Sequence, residues 1–179
     1  MVIPSLIKGG FIVGAKHGSG IVSARDHATM AWSAPAFIHM SGGSIGWQIG
    51  VESVDLVLLV MKPDAIDQLL ADKFTIGANL SLAAGPVGRS GDAAVNLEAT
   101  APVLAYSRSK GLFAGATFEG SAIHGDDAGN KAFYGSAMGL QALIRRTPNR
   151  NTLPPAANSW IATLTRLTAP ADRASAGAR

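Results

Sequence analysis

The amino-acid sequence predicts an α+β domain. Its core is a strongly curved, mostly antiparallel β-sheet or barrel-like sheet, with a few short helices that include a C-terminal one. Three observations predict it. Apolar residues alternate with period 2 through several segments, the mark of half-buried strands. Glycine supplies 21 of 179 residues, and nothing repeats with collagen period, so the glycines mark turns, bulges and close backbone approaches. Helical spacing is confined to short stretches from Pro63 onward.

The elements follow in order. Gly10–Ala15 and Gly20–Arg25 are short strand candidates, separated by the turn signal His17-Gly18-Ser19-Gly20. Ala36–Met40 is a third, ending at Ser41-Gly42-Gly43. From Ile45 the alternation is clean, with Ile45, Trp47, Ile49 and Val51 on one face. The phase then slips to Val54, Leu56, Leu58 and Val60, which predicts a turn or bulge near Glu52-Ser53. Pro63-Asp64 opens a helix carrying Ile66, Leu69 and Leu70. Thr75–Ala83, Val103–Ser107 and Leu112–Glu119 read as further strands, punctuated at Gly85-Pro86, Ser90-Gly91-Asp92 and Ser109-Lys110-Gly111. Ser136 can cap a second helix, in which Ala137, Leu140 and Ile144 share a face and Arg145-Arg146 sit at the favourable C-terminal end. Pro154-Pro155 precedes a third, striped by Ala157, Trp160, Leu164 and Leu167. Residues 1–168 form one expected domain, and 169–179 an expected disordered tail.

Composition narrows the function. The chain has no cysteine, which excludes disulfides, thiolate zinc sites, iron–sulfur clusters and thiol nucleophiles. The net charge of +3 is uneven, because residues 137–179 hold six Arg and one Asp. Leu56–Met61, the most apolar run, is far short of the roughly 20 residues that a spanning helix needs. The first ten residues lack a basic leader region and are broken by Pro4, so no export signal is read there.

Several motifs resemble catalytic ones. Gly42-Gly43-Ser44-Ile45-Gly46 matches the G-x-S-x-G elbow, but that elbow needs a helix after its serine, and a strand pattern follows here. Gly9 to Lys16 approaches a P-loop, but Ala15 stands before the lysine and no helix follows. His17, His27, His39 and His124 lack metal-ligand spacing, and Asp126-Asp127 lacks the alternation of a calcium loop and suits turn chemistry or a helix cap. No metal, cofactor or nucleic acid is expected. Val2, Ile3, Leu6, Ile7 and Phe11 beside Lys8 and Lys16 combine apolar insertion with anion attraction, as interfacial binders do; they also read as a core strand.

One set of residues carries a family resemblance. Ile3-Pro-Ser-Leu-Ile-Lys-Gly-Gly-Phe-Ile-Val-Gly14, Trp32-Ser-Ala-Pro-Ala-Phe37, Gly42-Gly-Ser-Ile-Gly-Trp-Gln-Ile-Gly50 and Asp55-Leu-Val-Leu-Leu-Val-Met61 come first. Ala78 through Ala84-Gly-Pro-Val-Gly88, Tyr106-Ser-Arg-Ser-Lys-Gly-Leu-Phe-Ala-Gly115, Phe118-Glu-Gly120, and Asn130 with Phe133-Tyr-Gly135 follow, and Leu153-Pro-Pro-Ala-Ala157 also fits. In this order they resemble the SYLF domain, a lipid-binding and actin-associated domain. The resemblance implies a non-enzymatic role: peripheral binding to an anionic phospholipid or membrane surface. Lys8 and Lys16 would pair with phosphates, Ile3, Leu6, Ile7 and Phe11 would enter the interface, and Arg108 and Lys110 would assist. Bacterial relatives imply a periplasmic or cell-envelope setting. Relatives usually carry an amphipathic helix, and often a signal peptide, before the motif that here begins at Ile3. The alternative is an envelope- or cytoskeleton-associated protein-interaction domain without direct lipid contact, its partner unknown. A hydrolase using Ser44 is a third reading.

Overall fold

A computed structural model of the chain describes residues 1–70, 74–76, 82–85, 102–108 and 120–169. Two long strands dominate it, β1 (Val2–Val22) and β2 (Ala36–Val60). They pair antiparallel from Val22↔Ala36 at the connected end to Val2↔Val57 at the open end. The glycine signals at His17–Gly20 and Ser41–Gly43 therefore make no turns; they lie inside strands.

Gly18 and Gly20 serve a close approach instead. A Cβ on Gly20 would stand 2.5 Å from the Val2 carbonyl oxygen, and one on Gly18 would stand 2.9 Å from Leu6 Cδ1. Residues 2 and 20 belong to the same strand, and a straight strand at about 3.3 Å per residue would hold them roughly 60 Å apart. The β1–β2 ribbon is thus rolled until its two ends meet, and glycine lets them touch.

Two register irregularities bend the ribbon. One lies in β1 between Ile3 and Leu6, where Ser5 has a φ of 54°. The other lies between Gly10 and Ile12, which pair with Gly50 and Gly46. The slip expected at Glu52-Ser53 is displaced, since Lys8↔Glu52 and Ile7↔Ser53 pair in regular register. Even-numbered positions of β2 face inward at both ends: Ala36, Ile38, Met40, Val54, Leu56 and Leu58 are buried. Val51, expected on an apolar buried face, falls on the odd side and is 80% exposed.

The strands β3 (Phe74–Thr75), β4 (Leu82–Ala84), β5 (Val103–Arg108) and β6 (Ser121–Gly125) complete a curved, unclosed six-stranded sheet. β5 pairs with Asp55–Val60 and β6 with Ile38–Gly42. β1 already occupies one edge of β2 over both stretches, so β5 and β6 share the other edge. β3 extends β6 antiparallel, and β4 runs parallel to β5. The expected strand Leu112–Glu119, the middle of Thr75–Ala83, the turn signals at Ser90-Gly91-Asp92 and Ser109-Lys110-Gly111, and nearly all of the expected tail lie outside the described residues.

Four helices are described. α1 (Pro63–Leu69) starts with proline in its first turn and buries Ala65 and Leu69. α2 (Asp127–Tyr134) lies where only turn chemistry or a helix cap was expected. Its ends carry the signal: Asp126 Oδ1 accepts from the Gly129 N–H at 2.8 Å, and Gly135 closes the helix with a φ of 71°. α3 (Leu140–Arg145) starts at Leu140 with Gly139 as its cap, later than the Ser136 start expected. α4 (Pro155–Leu167) buries Ala157 and Ile161. The core lies inside the rolled sheet, where Ile3, Leu6, Ile38, Met40, Leu56 and Ile123 are fully buried, and Leu69, Leu143 and Ile144 close it from α1 and α3.

Candidate functional site

The expected lipid-facing residues separate onto the two faces of the ribbon. Ile3 and Leu6 are 0% exposed and belong to the core, so in this fold neither is available to a membrane interface. Ile7 points the other way and is 54% exposed. It lies diagonally across from Val51, because Ile7 opposes Ser53 and Gly9 opposes Val51. Lys8 and Lys16 share the inner face with Leu6 by alternation. Lys16 is 3% exposed, and its burial, with the Lys8 charge nearby, holds its ammonium below the usual lysine range. Arg108 is exposed and opposes Asp55 on the far edge of β2. The Phe11 side chain and Lys110 lie outside the described residues.

A cleft of about 290 Å³ lies between the β1–β2 connection and helices α1 and α3. The connection is shaped by Asp26, whose Oδ1 accepts from the Ala28 N–H at 3.0 Å, the Thr29 N–H at 2.7 Å and the Thr29 hydroxyl at 2.8 Å. The bonds from Thr29 lead in holding that carboxyl below its usual range. An isolated bridge joins Arg25 to Trp32, and the Arg25 guanidinium sits 6.0 Å from the Trp32 ring centroid. Arg25 Nε donates to the Met30 carbonyl at 3.2 Å. Ser33 Oγ accepts from the Ala24 N–H at 3.0 Å and donates to the Ala34 carbonyl at 3.0 Å, so the neck of the connection is tied. The end of α4 props it from behind, where Trp32 Nε1 donates to Thr168 Oγ1 at 3.2 Å and Trp160 Nε1 donates to Ser23 Oγ at 3.0 Å.

Pro63, Ile66 and Asp67 of α1, with Ile144 and Arg145 of α3 and the following Arg146 and Thr147, form the opposite wall. Arg145 Nη2 donates to Asp67 Oδ1 at 2.6 Å, both side chains being exposed. Among the described residues Arg146 has no hydrogen-bond or ion-pair partner. The segment 137–169 contains four arginines and no Asp or Glu. Sequence reasoning saw this imbalance and the Arg145-Arg146 pair, but it had no signal that the connection at Arg25–Trp32 would fold over to face them.

Three of the four histidines gather elsewhere, on β1, β2 and β6. His39 opposes Ser19 on β1 and His124 on β6. Its Nδ1 lies 3.1 Å from Ser19 Oγ, its Nε2 lies 3.2 Å from Asp126 Oδ2, and the His17 ring stacks on it at 5.8 Å. This is a serine–histidine–aspartate chain of contacts outside the cleft, with Asp126 already employed as the cap of α2. Among the described residues no three His, Asp or Glu side chains are placed to hold a metal ion. The backbone that follows Ser44 is strand, as its alternation predicts, and not the helix that a nucleophile elbow requires. No helix among the described residues is long and apolar enough to cross a membrane.

Comparison with known proteins identifies the family. A family described as Ysc84, Las17-binding protein actin regulator, matches residues 41–167. LAS seventeen-binding protein 3 of Saccharomyces cerevisiae is 40% identical over 155 residues, covering 83% of this chain and 34% of its own length. Protein YSC84 of the same yeast is 37% identical over 164 residues, covering 90% of this chain and 34% of its own. The human SH3 domain-containing YSC84-like protein 1 is 41% identical over 135 residues, 75% of this chain and 39% of its own. The chain thus spans about a third of the length of the curated relatives it matches. No solved structure matches it. The relatives are fungal and mammalian and give no support to a bacterial-envelope setting, and the family's description is of a regulator, with no reaction named. The match across 41–167, together with about 40% identity over most of the sequence, means that the chain belongs to the Ysc84 family, whose domain is the SYLF domain.

Proposed function

We propose that this chain is a non-catalytic interaction domain that binds a protein of the actin-assembly machinery. The observation that carries the reading is the family match over residues 41–167, which takes in most of β2, β6 and all four helices. The test uses the purified chain in two assays, co-sedimentation with actin filaments and retention on immobilised yeast Las17. Binding in either assay is the expected result. Absence of binding in both overturns the reading.

A second reading keeps peripheral binding to anionic phospholipid. It is supported by the outer face of the ribbon, where Ile7 is 54% and Val51 80% exposed. Ile7, Phe11, Lys8, Arg108 and Lys110 are its candidate residues, without Ile3, Leu6 and Lys16, which the fold buries. Each basic residue close to an anionic surface contributes about 1 kcal/mol, so these few cations need Ile7 to hold on. Salt-sensitive pelleting with phosphatidylserine vesicles that is weakened by Ile7→Ala is the expected result. Pelleting indifferent to that change overturns this placement.

A further inference from the structure

We propose that the cleft between the β1–β2 connection and α1/α3 receives an acidic peptide segment of a partner protein. A carboxylate would sit against Arg146, and an apolar side chain would lie on Trp32 and Ile66. The inference rests on the protein-interaction reading and names the chemistry of the partner.

Charge is the first ground. Both acids of the cleft are already engaged: Asp67 is paired with Arg145, and Asp26 is turned into its own loop by three hydrogen bonds. The cations are less committed. Arg146 has no partner among the described residues, and Arg25 is held only by backbone carbonyls and the Trp32 face. A guanidinium presents a planar fork that matches a carboxylate bidentately. The α3–α4 segment behind Arg146 adds positive charge with no acid to offset it.

Shape is the second ground. The recess is concave, and its volume of about 290 Å³ suits one or two side chains. Its apolar groups, Trp32, Ile66 and Ile144, line the recess beside the cations. A bilayer is broad and needs its apolar contacts on a protruding surface. A peptide can place a carboxylate and a neighbouring aliphatic side chain into the recess together, and Met30, 52% exposed in the connection, offers further apolar contact nearby.

The test is isothermal titration of the whole chain with a capped Glu/Leu peptide and its Gln/Leu counterpart, at low and high salt. The Glu/Leu peptide is expected to bind, to weaken with salt, and to lose about tenfold or more in affinity on Arg146→Glu. Arg146 is exposed and unpartnered, so this variant keeps its circular dichroism and melting temperature. Lys131→Glu, on the exposed side of α2 and outside the cleft, leaves the affinity unchanged. Equal binding of the two peptides, or full binding by Arg146→Glu, overturns the proposal. So does a result in which phosphatidylserine vesicles, and not the peptide, depend on Arg146, because the cleft would then serve headgroups. If the chain pellets with actin filaments but ignores the peptide, the cleft proposal fails and the functional reading stands. If it binds the peptide through Arg146 but neither actin nor Las17, the functional reading fails and the cleft stands.

Discussion

The side chain of Asn130 continues the β-ladder where strand β6 stops. Its Oδ1 accepts from the Phe37 N–H at 2.8 Å, and its Nδ2 donates to the Phe37 carbonyl at 3.4 Å. Ladder pairing of β2 with β6 begins one residue later, at Ile38↔Gly125. The carboxamide thus stands in for the next peptide group of a strand, while the main chain turns away at Asp126 to start α2. Asn130 is 0% exposed, so bulk water does not reach this bond.

Replacing Asn130 with Ala should leave the Phe37 N–H buried and unpaired, at a cost of about 2–3 kcal/mol. The Phe37 carbonyl keeps its bond from the Asp126 N–H at 2.9 Å, so the loss is one-sided. Asn130→Asp should cost more, since it removes the donor and buries a charge. Urea denaturation midpoints of the three proteins check this ordering.

The two glycines Gly20 and Gly43 should respond oppositely to alanine. Gly20→Ala drives a methyl group into the Val2 carbonyl and the Ile3 side chain and should destabilise by about 1–3 kcal/mol. Gly43→Ala meets nothing within 4 Å and should be neutral or slightly stabilising, within about 1 kcal/mol. Thermal melts of the two variants decide it. If both were turn residues, as their sequence context first implies, they would behave alike.

Tyr134 should make the fold sensitive to alkali. Its hydroxyl donates to the Pro35 carbonyl, and burial pushes its pKa up to about 12 from the usual 10.0. A phenol whose folded pKa is raised contributes stability that is fully present below pH 10 and is lost as pH rises toward 12. Tyr134→Phe should lower stability at pH 8 and flatten its decline between pH 10 and 12. Denaturant midpoints measured across that window give the slope.

Trp160 and Ser23 should be energetically coupled. They join α4 to the end of β1 by one indole–hydroxyl bond of 3.0 Å. A double-mutant cycle with Trp160→Phe and Ser23→Ala should return about 0.5–1.5 kcal/mol of interaction energy. The same pair of residues anchors the neck of the cleft, so each single change should also loosen the connection that carries Arg25 and Trp32.

Local patterning revealed the parts of this molecule that obey a period. The alternation at Val54, Leu56 and Leu58, the proline starts of α1 and α4, and the strand nature of Ser44 were legible because each depends on near neighbours in the chain. The curvature of the sheet was legible in its glycine content, but the role of each glycine was not. Gly18 and Gly20 look like turn residues until the partners they approach, Ile3 and Leu6, are known to come from the other end of the same strand. For the same reason Ile3 and Leu6 could be read as core or as membrane anchors, since alternation fixes a face and not what covers it. Asn130 stood out as part of a family motif, yet its bond to Phe37 spans 93 residues and no local rule predicts it. The cleft was hidden for a similar reason, because its walls come from the connection, α1 and α3.

The rolled ribbon also bears on how the chain assembles. β1 and β2 can zip outward from their connected end, a local process on the microsecond scale typical of hairpins. Zipping alone does not bring Val2 to Gly20. That contact waits until the whole strand pair has formed and curled, and the loop it closes is as long as the strand itself. Closing the ring is therefore a step distinct from zipping the ribbon, with Gly18 and Gly20 as its clasp. A bulky residue at either glycine should therefore let the hairpin form at its normal speed and leave the ring open.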